Sequence, residues 1–319
     1  MSKPEILQIG ELPAWDEDPL NSKYKMHRYF EAQDKDAFVK ACAGNIKGVV
    51  TRGDLGIDAS TINSLPNLEV IVVYGVGYDA VDIEAAKAKN VSVTNTPDVL
   101  TADVADFAIL AMLAQSRGLV GCEKWARDGN WIDNGMYALG SRVNGRKAGV
   151  LGLGRIGFEI AKRLAAFDIE IAYSDVSEKD YAKDWKFIKD PVELGEFADF
   201  YFVTLSASAA TRHIVDTKVM DAVGPNGMVV NVSRAANIDE LALLDALESK
   251  KLGSAAIDVF EGEPNINPRF LALDNCLLTP HHGSGTIETR KDMGQLLRDN
   301  LDAHFDGKPL LTPVISNSN

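Results

Sequence analysis

The chain has 319 residues, 46% of them hydrophobic and 25% charged, with 26 Gly, 12 Pro and 3 Cys. Those shares exclude a disordered chain, a collagen-like fibre and a disulfide-stapled miniprotein, and the length suits two ordinary domains. With 33 Lys+Arg against 46 Asp+Glu the formal net charge is −13, which argues against nucleic acid as the partner, because such a surface repels phosphate backbones. A small anionic substrate stays compatible with it, since one buried arginine can dominate the field inside a cleft.

In chain order, residues 5–9, 48–51, 68–74 and 91–95 read as strands, and 35–43, 57–65 and 80–89 as helices. Asp58 and Asp79 stand near two of the helix starts. Strands alternating with helices imply βαβ units, a parallel sheet and helices on both faces. Met1-Ser2-Lys3-Pro4-Glu5 shows no signal-peptide organisation, and the most apolar run, 107–114, is too short to cross a bilayer. A cytoplasmic protein with no membrane partner is expected. Cys42, Cys122 and Cys276 are far apart, form no metal-ligand spacing and read as packing residues in a reducing compartment.

Thr96-Pro97-Asp98 breaks the alternation, and Thr101 can cap an apolar helix through Ala105, Ile109, Met112 and Leu113. The Gly-, Trp- and Asn-rich stretch 129–145 is either an oligomerisation arm or a solvated connection, with Trp131 and Tyr137 read as packing residues. From Lys147 the alternation resumes, with strands expected at 148–152, 169–174, 199–205, 228–232, 254–259 and 276–279. That is the strand complement of a full dinucleotide-binding fold. A helix pattern through Leu296, Leu297 and Leu301 follows Gly285.

Chemistry concentrates in this second half. Gly152-Leu153-Gly154-Arg155-Ile156-Gly157 is a GxGxxG run, which by itself many turns satisfy. Here a strand precedes it, a helix pattern (Ile160, Leu164, Phe167) follows, and Asp175 stands eighteen residues beyond Gly157 at the end of the next strand. The glycines permit a tight turn and close backbone approach, and a helix N-terminus offers N–H groups and positive dipole to a pyrophosphate. A carboxylate at Asp175 suits the ribose hydroxyls of NAD and repels the 2′-phosphate of NADP, while Lys179 nearby keeps NADP open.

Reducing a 2-keto acid also needs a proton donor and a cation for the carboxylate. Histidine beside a carboxylate suits the first task, and the arginine fork suits the second. Arg234, Glu263 and His281 each follow one of the expected strands, where open α/β sheets bind ligands. Taken singly, Arg234 could be a structural ion pair and Glu263 a solvated turn residue.

The chain resembles the D-isomer-specific 2-hydroxyacid dehydrogenases, most of all the hydroxypyruvate/glyoxylate and hydroxyphenylpyruvate reductases. The resemblance rests on 93–100 (VTNTPDVL), 152–157, Asn231-Val232-Ser233-Arg234, 258–264 (DVFEGEP) and 279–286 (TPHHGSGT). It implies a Rossmann dinucleotide-binding domain at 100–285, inserted into a flavodoxin-like substrate domain made of 1–99 plus 286–319. It further implies His281 as acid/base, Glu263 as its carboxylate partner, Arg234 as substrate clamp, and the N–H groups of Val76 and Gly77 on the substrate carboxylate. Asp258 would lie by the nicotinamide carboxamide. Cofactor contacts would come from Gly152, Gly154, Arg155, Ile156, Gly157, Asp175, Leu205, Thr211, Val232, Asp258, His281 and Gly283.

The activity implied is NAD(P)-dependent reduction of a small 2-keto acid, hydroxypyruvate or glyoxylate first, by a homodimer using NAD, NADP being possible. Bulkier acids (hydroxyphenylpyruvate, 2-ketogluconate) and a non-catalytic NADH-sensing protein of the same fold are the alternatives. Three positions depart from the family's pattern: Ala235 stands where Gly is usual, Ser206 where relatives carry Pro, and His282 where an apolar residue is more common.

Overall fold

The computed structural model describes residues 3–316; Met1 and Ser2, part of the stretch read for a targeting signal, and 317–319 lie outside it. In chain order the elements begin with β1 (Glu5–Gln8), α1 (Ala14–Lys23), β2 (Lys25–Arg28), α2 (Lys35–Cys42), β3 (Ile46–Arg52), α3 (Ala59–Ser64), β4 (Val70–Tyr74), α4 (Ile83–Ala88) and β5 (Ser92–Thr94). Then come α5 (Thr101–Ser116), α6 (Leu119–Arg127), α7 (Asn130–Asn134), β6 (Lys147–Leu151), α8 (Arg155–Ala165), β7 (Glu170–Ser174), β8 (Lys186–Phe187), α9 (Pro191–Phe197) and β9 (Phe200–Val203). The chain closes with α10 (Thr217–Val223), β10 (Met228–Asn231), α11 (Glu240–Glu248), β11 (Ser254–Ile257), β12 (Cys276–Leu278), α12 (Ile287–Phe305) and β13 (Pro313–Ile315).

Two compact units result. One runs to Leu100 and resumes at Thr286; the other is Thr101–Gly285. The first holds a six-stranded sheet in the order β2-β1-β3-β4-β5-β13, the flavodoxin-like arrangement with an added edge strand. Its strands are parallel except for β13, which pairs antiparallel with β5. The core of this unit is formed by Leu7, Val49, Ile71, Val73 and Val93 with helix residues such as Val39, Ile62 and Ala86.

The second unit holds a seven-stranded, all-parallel sheet in the order β8-β7-β6-β9-β10-β11-β12, the Rossmann arrangement extended by one strand. Helices cover both faces, so its strands are apolar throughout rather than alternating. On β9, Tyr201 and Val203 join a cluster with Leu194, Val219 and Leu244 of α9, α10 and α11. Phe200 and Phe202 face the opposite layer, with Ile109 and Met112 of α5 and Ile160 and Leu164 of α8. Aspartates start three of these helices: Asp190, Asp216 and Asp239 accept the first backbone N–H groups of α9, α10 and α11.

Several expectations are corrected. Helix α1 and strand β2 have no apolar periodicity to announce them, and α1 contains Pro19. The cap of α4 is Asp82, whose side chain accepts the Ala85 N–H, and not Asp79. The 129–145 stretch is partly helical, since α7 lies inside it. Within it Tyr137 stacks on Trp125 with ring centroids 5.8 Å apart, whereas Trp131 stays 68% exposed and does not pack as expected. Cys42 is buried and Cys276 partly buried, its thiol pushed up to about 12 by burial; Cys122 is exposed and fills no core. No single helix among the described residues is long and apolar enough to cross a membrane.

Candidate active site

The glycine turn joins β6 to α8. Gly152 has φ +98°, and a side chain there would also press on Leu205, a Cβ lying 2.9 Å from Leu205 Cδ2. At Gly157 a Cβ would sit 2.1 Å from the Gly152 carbonyl oxygen, so only glycine lets helix and turn approach this closely. Gly154 differs: a Cβ there meets nothing within 4 Å, which leaves open space at the start of an 11-residue helix. Thr204 braces the turn by donating its hydroxyl to the Gly152 carbonyl at 2.6 Å.

Asp175, one residue beyond β7, closes the other side. Its Oδ2 accepts the Leu153 N–H at 2.9 Å, and its Oδ1 accepts the Val176 N–H at 2.7 Å. An open glycine at a helix N-terminus, with a carboxylate fastened to the same turn, fits a dinucleotide: pyrophosphate at the helix, ribose at the carboxylate.

Three neighbouring strands, β10, β11 and β12, then lead into Arg234, Glu263 and His281. Asn231 shapes the first turn, its carbonyl oxygen accepting the Ser233 N–H and hydroxyl and its amide donating to the Arg234 carbonyl. Glu263 is held by Oε1, which accepts the Phe260 N–H at 2.7 Å, while Oε2 lies 2.8 Å from His281 Nδ1. That contact engages Nδ1 with the carboxylate, and Nε2 is the ring nitrogen not committed to it. His281 has φ +52°, and its N–H donates to the carbonyl of Asp258 at 2.9 Å. Asp258 is 3% exposed, and burial pushes its carboxyl above the usual value. Three donors pull the other way, the Thr279 hydroxyl at 2.7 Å and the N–H groups of His282 and Gly283 at 2.7 and 2.8 Å. The buried aspartate therefore anchors the turn that carries His281.

Residues 109–283 match the family described as D-isomer specific 2-hydroxyacid dehydrogenase, NAD binding domain. The chain is 41% identical over 311 residues to glyoxylate/hydroxypyruvate reductase A of Arabidopsis thaliana, covering 97% of this chain and 98% of that one. The chain belongs to the D-isomer-specific 2-hydroxyacid dehydrogenases. A solved 2-hydroxyacid dehydrogenase from Ketogulonicigenium vulgare Y25 is 60% identical to it with a TM-score of 0.94, over all of both chains. The NADPH-dependent glyoxylate/hydroxypyruvate reductase of Sinorhizobium meliloti, solved with NADP and malonate, is 35% identical with a TM-score of 0.90, covering 98% of this chain and 97% of that one.

In this dehydrogenase the remaining expected residues fall as follows. Arg155 and Ile156 open α8, with Ile156 packed on the core. Val232 packs against the same cluster, and Leu205 sits over Gly152 while its carbonyl accepts the Asn237 amide. The Thr211 hydroxyl accepts the Ser208 N–H at 2.9 Å and lies 2.8 Å from the Ser206 carbonyl, so it organises the loop after β9. Gly283 lies beside Asp258, whose Oδ2 would be 3.2 Å from an added Cβ. The His282 ring lies edge-on to Phe107, centroids 6.2 Å apart, and fills the space beside Gly285. Val76 and Gly77 belong to the other unit, in the turn after β4, where the Asn95 amide donates to the Val76 carbonyl at 2.7 Å and the Thr96 hydroxyl accepts the Gly75 N–H at 3.0 Å.

Three supporting residues carry no local sequence signal, namely Thr204 under the glycine turn, Tyr181, whose hydroxyl donates to the Leu153 carbonyl at 2.6 Å, and Glu240, which accepts the Glu261 N–H at 2.8 Å; Thr279 lies in the 279–286 motif, but its bond to Asp258 does not follow from it. Each acts across at least 21 residues of chain, beyond the reach of motif or periodicity.

Proposed function

We propose that the chain is an NAD(P)-dependent reductase that converts a small 2-keto acid, glyoxylate or hydroxypyruvate foremost, to the D-2-hydroxy acid. The observation that carries this reading is the His281–Glu263 pair, placed by strand ends of the same sheet that bears the open glycine turn. NAD(P)H, when bound, supplies the hydride that the keto carbon takes up. His281, protonated and held through Nδ1 by Glu263, gives the proton from Nε2 to the carbonyl oxygen, so that ketone, hydride and proton together balance as the alcohol. Glu263 stabilises the imidazolium and fixes its orientation. Arg234 offers a planar fork to the carboxylate of the acid and polarises its carbonyl. Val76 and Gly77 are proposed as further N–H contacts to that carboxylate, on the resemblance alone.

His281→Ala is expected to lower kcat by about 10²–10⁴-fold, the usual contribution of a general acid, with NADH affinity changed little. Turnover equal to that of the parent would sink the assignment. We also read the chain as half of a homodimer, because Leu119, Val120, Trp131, Ile132, Met136 and Leu139 lie exposed within one stretch of chain. Sedimentation at micromolar concentration tests this, and a monomer there would contradict it.

A further inference from the structure

Glu263 is fixed by its own loop only in part. Its Oε1 accepts the Phe260 N–H, and the buried Phe260 ring packs on Phe270 with centroids 5.3 Å apart. The next N–H along, that of Glu261, turns to a second carboxylate: Glu240 Oε2, on the first residue of α11, accepts it at 2.8 Å. Two carboxylates thus hold consecutive peptide groups of this turn, Glu263 from within it and Glu240 from α11. The Glu261 side chain bears on the same helix start, its Oε1 lying 3.6 Å from His213 Nε2 while His213 Nδ1 lies 4.0 Å from Asp239 Oδ2.

An ionised carboxylate at this place works against the fold. Glu240 is 9% exposed and borders a small cavity whose other walls include Ile238, Leu243, Ile257, Val259 and Phe270. Among the described residues no lysine or arginine pairs with it, and the Glu261 carboxylate adds repulsion. Burial pushes its carboxyl above the usual 4.5, and the Glu261 N–H offsets this only in part. A carboxyl raised in this way contributes stability below its unfolded pKa and loses it as pH rises through the folded value. At mildly alkaline pH an uncharged side chain of the same size should therefore fold at least as well. A buried charge that weakens the fold, and that directs its hydrogen bond to the loop of Glu263, points to a role in the reaction rather than in stability.

We propose that Glu240 is a positioning residue for the reduction: by holding the Glu261 N–H it fixes the 260–263 turn, and so keeps the Glu263 carboxylate at hydrogen-bond distance from His281 Nδ1. The inference rests on the reading of the His281–Glu263 pair as the proton donor and deepens it. Glu240 acts through Glu263 and not on the substrate. A charged acceptor grips an N–H more strongly than a neutral one, so glutamine in its place keeps part of the hold and methionine none.

The test is the single-turnover rate of NADH oxidation by the full chain with glyoxylate or hydroxypyruvate, alongside NADH affinity and melting temperature. It compares the parent, Glu240→Gln, Glu240→Met, Glu263→Ala and the Glu240→Met/Glu263→Ala double variant. Both Glu240 substitutions remove the buried charge at similar volume, so melting temperatures at mildly alkaline pH should stay level or rise. The rates should separate them: a fall of roughly tenfold in Glu240→Met, the scale of one hydrogen bond to a charged group, and a smaller fall in Glu240→Gln. NADH affinity should not change. In the Glu263→Ala background, Glu240→Met should slow the reaction by less than about twofold more, because residues that act through one another are not additive. The same fold loss in both backgrounds would overturn the inference, and so would NADH affinity and melting temperature falling with the rate, since those mark a merely structural residue. Glu240→Met at the parent's rate would overturn it as well. If Glu240→Met does not fold, Glu240→Asp, which withdraws the acceptor by one methylene, replaces it in the cycle. A parent that turns over neither acid would overturn the reading of the His281–Glu263 pair instead.

Discussion

Both units are doubly wound parallel sheets, and in both the first strand lies inside the sheet where the strand order reverses, the place at which such sheets bind ligands. The two positions are finished in opposite ways. After β1 the corner is filled by the protein itself: a Cβ on Gly10 would meet Leu55 and Arg52 side chains at 2.4 and 3.2 Å. Glu17 occupies the same corner, lying 2.5 Å from the Gln8 amide and accepting the Leu12 N–H. After β6 the corner is left open at Gly154 and is rimmed by Asp175. A shared topology thus provides two potential crevices, and side-chain choice at the first turn decides which one is kept for a ligand.

That contrast can be broken at defined positions. The largest effect is expected from Gly157→Ala, whose Cβ would collide with the Gly152 carbonyl, a backbone atom that cannot swing aside. Overpacking of this kind costs about 1–3 kcal/mol, and both the melting temperature and NADH binding should fall. Gly154→Val separates the two properties: with nothing within 4 Å it should fold like the parent yet lose dinucleotide affinity by roughly tenfold or more. Its counterpart Gly10→Ala meets only the movable side chains of Leu55 and Arg52 and should leave NADH binding unchanged. Equal loss of binding from the Gly10 and Gly154 variants would erase the distinction between the corners.

The smallest effect concerns pH. In the second unit burial opposes ionisation of Asp199, but the Arg146 guanidinium at 2.5 Å and the Lys147 N–H outweigh it, holding the carboxyl below its usual 3.8. A depressed carboxyl stabilises the fold above its unfolded pKa and loses that contribution as pH falls through the folded value. In the first unit Asp16 is fully buried against Arg298, and there burial wins, raising its carboxyl above 3.8. Its contribution is present below the unfolded pKa and lost as pH rises through the folded value. Melting temperatures should therefore show the gap between parent and Asp199→Asn narrowing on acidification, and the gap to Asp16→Asn narrowing in the other direction.

The second sheet was legible because its strands are short apolar runs, a local signal that needs no knowledge of the fold. Gly152–Gly157 and Asp175 could be found by spacing, and Arg234, Glu263 and His281 by their places after strands. What escaped was decided across space. Helix α1 is held by Asp16 against Arg298, a partner 282 residues away, and its own sequence has too little apolar pattern to declare it. Lys179 stands near Asp175 in sequence, but its contact with that carboxylate and the buried Tyr173 hydroxyl that takes its N–H are visible only in the structure. Asp79 stands just before the helix expected at 80–89, yet Asp82 is the residue that meets the Ala85 N–H.

The central claim is that the open corner and the His281–Glu263 pair together reduce a keto acid. Initial rates of NADH and NADPH oxidation, measured with glyoxylate, hydroxypyruvate, hydroxyphenylpyruvate and 2-ketogluconate, test it most directly. The account predicts rapid turnover of glyoxylate or hydroxypyruvate with slower turnover of the bulkier acids. A protein that binds the dinucleotide yet turns over none of the four would contradict it and favour a sensor of NADH over an enzyme.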